Sequence, residues 1–108
     1  MSAIDLLIDA KELIADRESW CQHVDALDAD GAPAMDTGRA PVAFCALGAL
    51  SHAADLADAA LIVKATACLA EVIGTPNIAD WNDSHTHHEV IDAFDEAIAR
   101  RKAVTAAP

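Results

Sequence analysis

The sequence predicts a mainly α-helical single domain of about four helices, with a short β-hairpin between the first and second helix. Its 108 residues match the usual size of one domain, and a second core would be too small to bury itself. Hydrophobic residues make up 54% of the chain and recur at helical spacing in four stretches. We therefore expect one domain over residues 1–108, with residues 103–108 forming a flexible tail.

The first predicted helix begins at a capping pair. Ser2 and Asp5 stand three residues apart, which lets each side chain bond to the other residue's backbone amide. Apolar residues then recur at helical spacing as far as Asp16: Ile4, Leu7, Ile8, Leu13 and Ile14. The segment around Trp20 either prolongs this helix after a break or is already extended.

The hairpin is predicted from a turn signal. Asp28, Asp30 and Gly31 are residue types that tolerate tight or left-handed backbone. The same residues could belong to a calcium-binding loop, but that alignment puts Ala26 at the first ligand position and Thr37 where a bidentate glutamate is needed. The sequence therefore favours a turn.

The second predicted helix has Pro41 at its first position and runs to His52. Gly48 lies in its interior, where glycine costs about 1 kcal/mol relative to alanine. We expect close contact with another helix to compensate, through a surface of small residues on one helix face. Cys45, Gly48, Ala49 and His52 form that surface.

The third predicted helix begins with Asp55 or Asp58 as its cap and ends at Gly74. Its apolar surface is wide, which predicts a central position in the fold. The last helix begins with a second capping box, Thr86 with Glu89. Its apolar face carries Val90, Ile91, Phe94, Ala97 and Ile98, and its polar face carries Asp92, Asp95 and Glu96.

Charge and cysteine content limit the class of function. The formal charge is −11, which repels nucleic acid and anionic membranes, and residues 100–102 form the only basic cluster. Cys21, Cys45 and Cys68 are odd in number and widely spaced, which is typical of reduced thiols in the cytoplasm. No secretion signal or membrane-spanning run is evident, and no cofactor is suggested.

Three histidines near residue 85 raise the possibility of a metal site. His85 with Glu89, and His88 with Asp92, stand four residues apart, and Asp83 could add a further ligand. However, a helix capped by Thr86 places the three imidazoles in different directions. The pattern therefore favours a structural role, in which Trp81 anchors the loop and Asn82 or Asp83 bonds to backbone groups.

A cysteine nucleophile is the sharpest enzymatic hypothesis. Cys45 lies near the start of a predicted helix, where the helix dipole favours a thiolate, and His85 with Asn82 or Asp83 could complete a catalytic set. Its neighbours in "FCALGA" are apolar, however, and free cysteine is usually a small buried hydrophobe. Both interpretations stay open at this point.

Two motifs carry a resemblance to a known family. The stretch "FCALGAL", and "WND" followed by Thr86, "EV" and "FDEAI", resemble an uncharacterised family of short bacterial and phage proteins. The resemblance also includes Trp20 and the "DADG" turn, so it covers most of the chain. The resemblance implies one intact domain of bacterial or phage origin, and it implies no particular activity. It marks Cys45, Ala46, Leu47, Gly48, Ala49, Trp81, Asn82, Asp83, Thr86 and Glu89, but none of the histidines at positions 85, 87 and 88.

The function that the sequence favours is that of a cytoplasmic accessory or interaction protein without catalysis. It would bind a protein partner through an acidic helical surface, or self-associate as a homodimer through an apolar helix face. Two alternatives remain. One is a metal-binding protein that uses His85, His87 and His88, and the other is an enzyme that uses Cys45.

Overall fold

The computed structural model describes residues 2–54 and 58–106. The elements follow in chain order: α1 (Ala3–Leu13), a 3-10 helix (Arg17–Ser19), β1 (Ala26–Leu27), α2 (Ala34–Thr37), β2 (Ala43–Phe44), α3 (Ala46–Ala53), α4 (Ala59–Ile73), α5 (Ile78–Asp83) and α6 (His87–Ala106). The prediction of a mainly helical fold is therefore confirmed. The short helices α2 and α5 were not predicted, because so few residues show no clear helical periodicity.

The hairpin is confirmed between the first and second predicted helices. β1 and β2 are antiparallel, with Ala26 opposite Phe44 and Leu27 opposite Ala43. The tight turn is also present, since the amide of Gly31 donates to the carbonyl oxygen of Asp28 (3.0 Å) and Gly31 has a φ of 82°. The strands themselves are joined by a longer connection that contains α2. We call this connection, residues 28–42, the 28–42 segment.

Side-chain caps start three of the helices as predicted. Ser2 and Asp5 form the capping box of α1, and Asp58 accepts from the amide of Leu61 (3.1 Å) at the start of α4. Thr86 and Glu89 bond to each other's amides at the start of α6, at 2.9 and 3.2 Å. The other candidate cap of α4, at position 55, lies outside the described residues.

Two helix boundaries differ from the prediction. The second predicted helix begins at Ala46 rather than Pro41, because Ala43 and Phe44 are extended and pair with β1. At the other end of the chain, α6 continues to Ala106, beyond the predicted end of the last helix, and the flexible tail stays a prediction. Alanine and lysine favour helix there. Residues 107 and 108 lie outside the described part of the chain.

The main core lies between α1, α3, α4, α5 and α6. Its largest fully buried apolar side chains are Leu6, Leu7, Ile14, Leu50, Leu69, Ile78, Val90 and Phe94. α4 packs against α1, α3, α5 and α6, but only Ala65 and Leu69 are buried on it and Val63 is 66% exposed. The helix expected to be central is therefore open on one side, and α1 is better buried. In the described residues, no helix is long and apolar enough to cross a membrane.

Candidate functional site

Cys45 is the cap of α3 and a core residue. Its backbone is extended, and its Sγ accepts a hydrogen bond from the amide of Gly48 (3.3 Å), which satisfies one of the helix's unpaired amides. The residue is 2% exposed. Burial raises the pKa of the Cys45 thiol, and the nearby Asp25 carboxylate adds to this effect. These surroundings favour a neutral thiol over a reactive thiolate.

Asn82 connects three separate parts of the chain. Its Oδ1 accepts from the amide of Ala46 (3.0 Å) and from Nε1 of Trp20 (2.8 Å), while its Nδ2 donates to the carbonyl oxygen of Cys21 (3.1 Å). The side chain is fully buried. Because both ends of the amide group have partners of the right kind, its buried polar atoms are satisfied. Asn82 thus ties the start of α3 to the end of α5 and to the loop that follows the 3-10 helix.

That loop, residues 20–25, is held from both sides, and we call it the 20–25 loop. Trp20 forms a parallel bridge with Phe44, which shows that the segment around Trp20 is extended instead of prolonging α1. Gln22 donates through Nε2 to the carbonyl oxygens of Asn82, Asp83 and His85 at 3.0–3.1 Å. These carbonyls belong to the end of α5 and the turn after it, where helix carbonyls run short of intrahelical partners. Gln22 therefore acts as a C-terminal cap supplied from elsewhere in the chain.

Gly48 lets the 20–25 loop cross the first turn of α3. A Cβ at this position would overlap the carbonyl oxygen of Asp25 and lie 3.0 Å from its carbonyl carbon. The same carbonyl accepts from the amide of Cys45 at 3.0 Å. The prediction that Gly48 permits a close approach is correct, but its expected partner is wrong. The chain that approaches is a loop backbone, not another helix.

His23 and Asp83 meet at the exposed edge of this loop. His23 has a φ of 74°, a left-handed conformation that is uncommon for residues other than glycine. Its amide donates to Oδ1 of Asp83 (2.7 Å), and its Nδ1 lies 3.7 Å from Oδ2 of the same carboxylate. Asp83 therefore stabilises an unfavourable backbone conformation, and it leaves the imidazole of His23 largely in solvent.

The histidines near residue 85 point to three different places. The ring of His85 stacks on Trp81, and its Nδ1 lies 2.6 Å from the Trp81 carbonyl oxygen. Nε2 of His87 lies 2.6 Å from the carbonyl oxygen of Ile14, at the end of α1. Since a carbonyl can only accept, each of these nitrogens carries the proton. His88 is exposed, and its contact is with Asp92, one turn further along the same helix.

The candidate metal ligands do not converge. Glu89 is engaged with Thr86 in the capping box, which lowers the pKa of Glu89 through the backbone hydrogen bond. His88 contacts Asp92 at 3.2 Å on the solvent face of α6, and His85 lies on Trp81. Over the described residues, no three side chains of histidine, cysteine, aspartate or glutamate are grouped so that they could hold an ion.

The candidate catalytic set is brought together only in part. Asn82 contacts Ala46, next to Cys45, whereas Asp83 contacts His23. The hydrogen-bond partners described for the Cys45 sulfur are the amide of Gly48 and, at 3.9 Å, the Asp25 carboxylate. Neither is a histidine.

An open groove lies beside the 20–25 loop, between α3 and the 28–42 segment. One cavity of about 550 Å³ runs between α3 and the 28–42 segment, and a second of about 380 Å³ adjoins it beside His23. Asp25, Ala26 and Met35 line both, and we call the combined cavity the α3 groove. Met35 is 83% exposed. A large apolar side chain in the turn-rich stretch "APAMDTG" was the sequence signal for this surface, and it was missed.

The remaining lining of the α3 groove is partly apolar and partly charged. The larger cavity also contacts Phe44, Gly48 and His52, and the rings of Phe44 and His52 lie 4.7 Å apart. Asp36 lines the smaller cavity. Arg39 lines the larger one and is paired with Asp30. No local pattern in the sequence indicates that residues so far apart line one groove.

These observations define a small helical domain in which the motif residues Asn82 and Asp83 hold the 20–25 loop against α5 and the start of α3. The chain belongs to a family of unknown function (DUF6197), whose model matches residues 1–100. The resemblance to an uncharacterised family is thereby confirmed. No curated protein and no solved structure matched the chain.

Proposed function

We propose that this chain is a protein-interaction domain without catalysis, which acts in the cytoplasm of a bacterium or of a phage-infected cell and binds a protein partner in the α3 groove. The observation that carries the proposal is the exposure of Met35. A methionine that is 83% exposed beside an open groove leaves up to about 1.5–3 kcal/mol of burial free energy available to a partner. A partner that covers Met35 would recover that free energy.

The composition of the groove supports binding of a protein. Methionine and aromatic residues are enriched at protein interfaces, and methionine adapts its shape to different partners. Met35 is such a side chain and is exposed, and Phe44, although it is only 6% exposed, also lines the larger cavity. The polar motif residues, in contrast, are already bonded within the domain.

Site-specific photo-crosslinking in the native host tests this proposal. A benzoylphenylalanine at Ser51, which lines the groove, should cross-link one reproducible protein, and the same group at the exposed Ala99 of α6 should not. Met35→Glu should abolish the cross-link from position 51. Met35→Glu should change the free energy of unfolding by no more than about 0.5 kcal/mol, since the side chain is exposed. A cross-link that is equal at both positions, or that survives Met35→Glu, would rule out the groove.

Self-association is the second candidate, and the outer face of α4 favours it. Val63 is 66% exposed, and Ala60 and Ala67 lie one turn to either side of it and are also exposed. Light scattering from micromolar to millimolar concentration measures the mass directly. A dimer that Val63→Lys converts to a monomer would support this candidate, and a monomer throughout would exclude it.

The cysteine enzyme and the metal protein remain alternatives with direct tests. If Cys45 is a packing residue, iodoacetamide at neutral pH should modify the half-buried Cys68 first and reach Cys45 only on unfolding. Fast alkylation that Cys45→Ser removes would support the enzyme instead. For the metal protein, zinc, nickel or manganese should raise the melting temperature of the untagged chain, and His88→Ala should remove that rise.

A further inference from the structure

We infer that the α3 groove takes a peptide segment of a partner protein in which one large apolar side chain is flanked by lysine or arginine. This inference rests on the proposed function and specifies the chemistry of the partner. It depends on three properties of the groove: the charge at its edge, the apolar character of its wall and its size.

The edge of the groove carries negative charge that is not neutralised within the domain. Asp25 and Asp36 are exposed, and over the described residues neither takes part in an ion pair. The basic side chain that lines the groove, Arg39, is paired with Asp30 outside it. Since the whole chain has a formal charge of −11, the field around the groove attracts cations. An acidic partner would be repelled.

The wall of the groove is apolar. Met35 stands on one side, and Phe44 lies against the ring of His52 on the other. The volume of about 550 Å³ falls within the range of about 300–1,000 Å³ found for ligand pockets, and one bulky side chain would fill only part of it. The cavity is open to solvent on one side, so the backbone of a bound segment could continue beyond it. A peptide fits this shape better than an enclosed small molecule.

The positions of the two carboxylates set the spacing of the peptide. Asp25 lines both cavities, while Asp36 lines only the smaller one. An apolar side chain packed beside Met35 and Phe44 would therefore have a cationic neighbour near Asp25. A second cation would be favoured toward Asp36, on the side of the smaller cavity.

Selection from a random heptapeptide library displayed on phage tests the inference. The wild-type chain is the bait, and Met35→Glu is used to remove peptides that bind elsewhere. We expect the remaining peptides to contain a large apolar residue next to lysine or arginine. Synthetic copies should bind the double variant Asp25→Asn/Asp36→Asn about three- to ten-fold more weakly than the wild type, as expected for two exposed ion pairs.

A matched control separates a local effect from the general field. Asp92→Asn/Glu96→Gln also removes two negative charges, but from the solvent face of α6, away from the groove. It should leave the peptide affinity unchanged within two-fold. An equal loss in both double variants would overturn the inference, since the attraction would then come from net charge alone.

The remaining outcomes distinguish the inference from the proposed function. Peptides that depend on Met35 but carry no basic residue would overturn the inference and leave the interaction domain standing. If no peptide depends on Met35, both are overturned. If unlabelled wild-type chain competes for the selected peptides, the occupant is a second copy, and the inference of a separate basic partner is overturned.

Discussion

The 20–25 loop and the 28–42 segment lie side by side, yet they are held in different ways. The 20–25 loop is fixed mainly by two neutral amide side chains. Asn82 of α5 bonds to Trp20 and Cys21 in the loop, and Gln22 of the loop bonds to backbone carbonyls at the end of α5. The 28–42 segment is organised by its own residues. Asp28 is buried and accepts hydrogen bonds from the amides of Asp30 and Ala32 and from the hydroxyl of Thr37.

This difference separates architecture from candidate function. The motif residues Asn82 and Asp83, which contact the 20–25 loop, use their polar atoms to bond to backbone groups of that loop and of the start of α3. The 28–42 segment exposes Met35 and borders the α3 groove. The dense group of polar residues is therefore a guide to what holds the domain together, and the exposed Met35 is the basis for where we propose that a partner binds.

The largest effect on stability is expected from Asn82→Ala. The substitution leaves the amide of Ala46, Nε1 of Trp20 and the carbonyl of Cys21 without a partner in a buried site. Each such group costs about 1–3 kcal/mol, so the free energy of unfolding should fall by at least about 3 kcal/mol. Urea unfolding followed by far-ultraviolet circular dichroism measures the change.

Asn77→Ala is the matched control, because Asn77 caps the same helix from an exposed position and should contribute only about 1 kcal/mol. If Asn82→Ala does not fold, Trp20→Phe removes one of the three bonds while it keeps most of the packing. It should cost about 1 kcal/mol. A loss at Asn82 no greater than that at Asn77 would show that the buried network is not what holds the 20–25 loop.

Gly48→Ala is expected to have the next largest effect, and its sign is informative. In an ordinary helix this change stabilises by about 1 kcal/mol. Here the new methyl group would collide with the backbone of Asp25, so we expect a loss of about 1–3 kcal/mol in the free energy of unfolding. A gain in stability, measured by the same urea unfolding, would contradict the close contact between α3 and the 20–25 loop.

The elements that could be predicted from sequence are those set by local chemistry. Capping boxes at Ser2 and Thr86 depend on residues three apart, and the predicted helix starts are correct at both. The apolar face of α6 follows from its periodicity, and Val90 and Phe94 are buried on it. Local patterns failed where strand pairing intervened, as at Pro41, whose neighbours extend toward β2 instead of starting α3.

For the candidate site, the type of contact could be predicted from sequence, but the partners could not. Asn82 was expected to bond to backbone groups, and it does, but its partners are 36 to 62 residues away in the chain. Gln22 gave no signal at all, because its role depends on where the end of α5 lies in space. The α3 groove likewise brings Met35 beside α3 through tertiary packing, which no local pattern encodes.

The smallest expected effect on stability is its dependence on pH. This effect distinguishes the 28–42 segment, which is held by a carboxylate, from the 20–25 loop, which is held mainly by neutral amides. The hydroxyl of Thr37 is the main cause that lowers the pKa of Asp28 below its ordinary value of 3.8, and the amides of Ala32 and Asp30 add to it. A carboxyl group whose pKa is lower in the folded state stabilises that state above its unfolded pKa. This contribution is lost as the pH falls through the lower, folded-state pKa.

Comparison of the wild type with Asp28→Asn isolates this contribution. Asparagine keeps an acceptor for the two amides but has no charge, so the wild type should be the more stable at pH 7. The difference in the free energy of unfolding should stay constant down to about pH 4 and shrink below it. Asp36→Asn, which removes an exposed charge from the same segment, should show little difference at any pH. If the difference for Asp28→Asn is the same at pH 7 and pH 3, the ionised carboxylate does not hold the 28–42 segment, and the contrast with the amide-bound 20–25 loop fails.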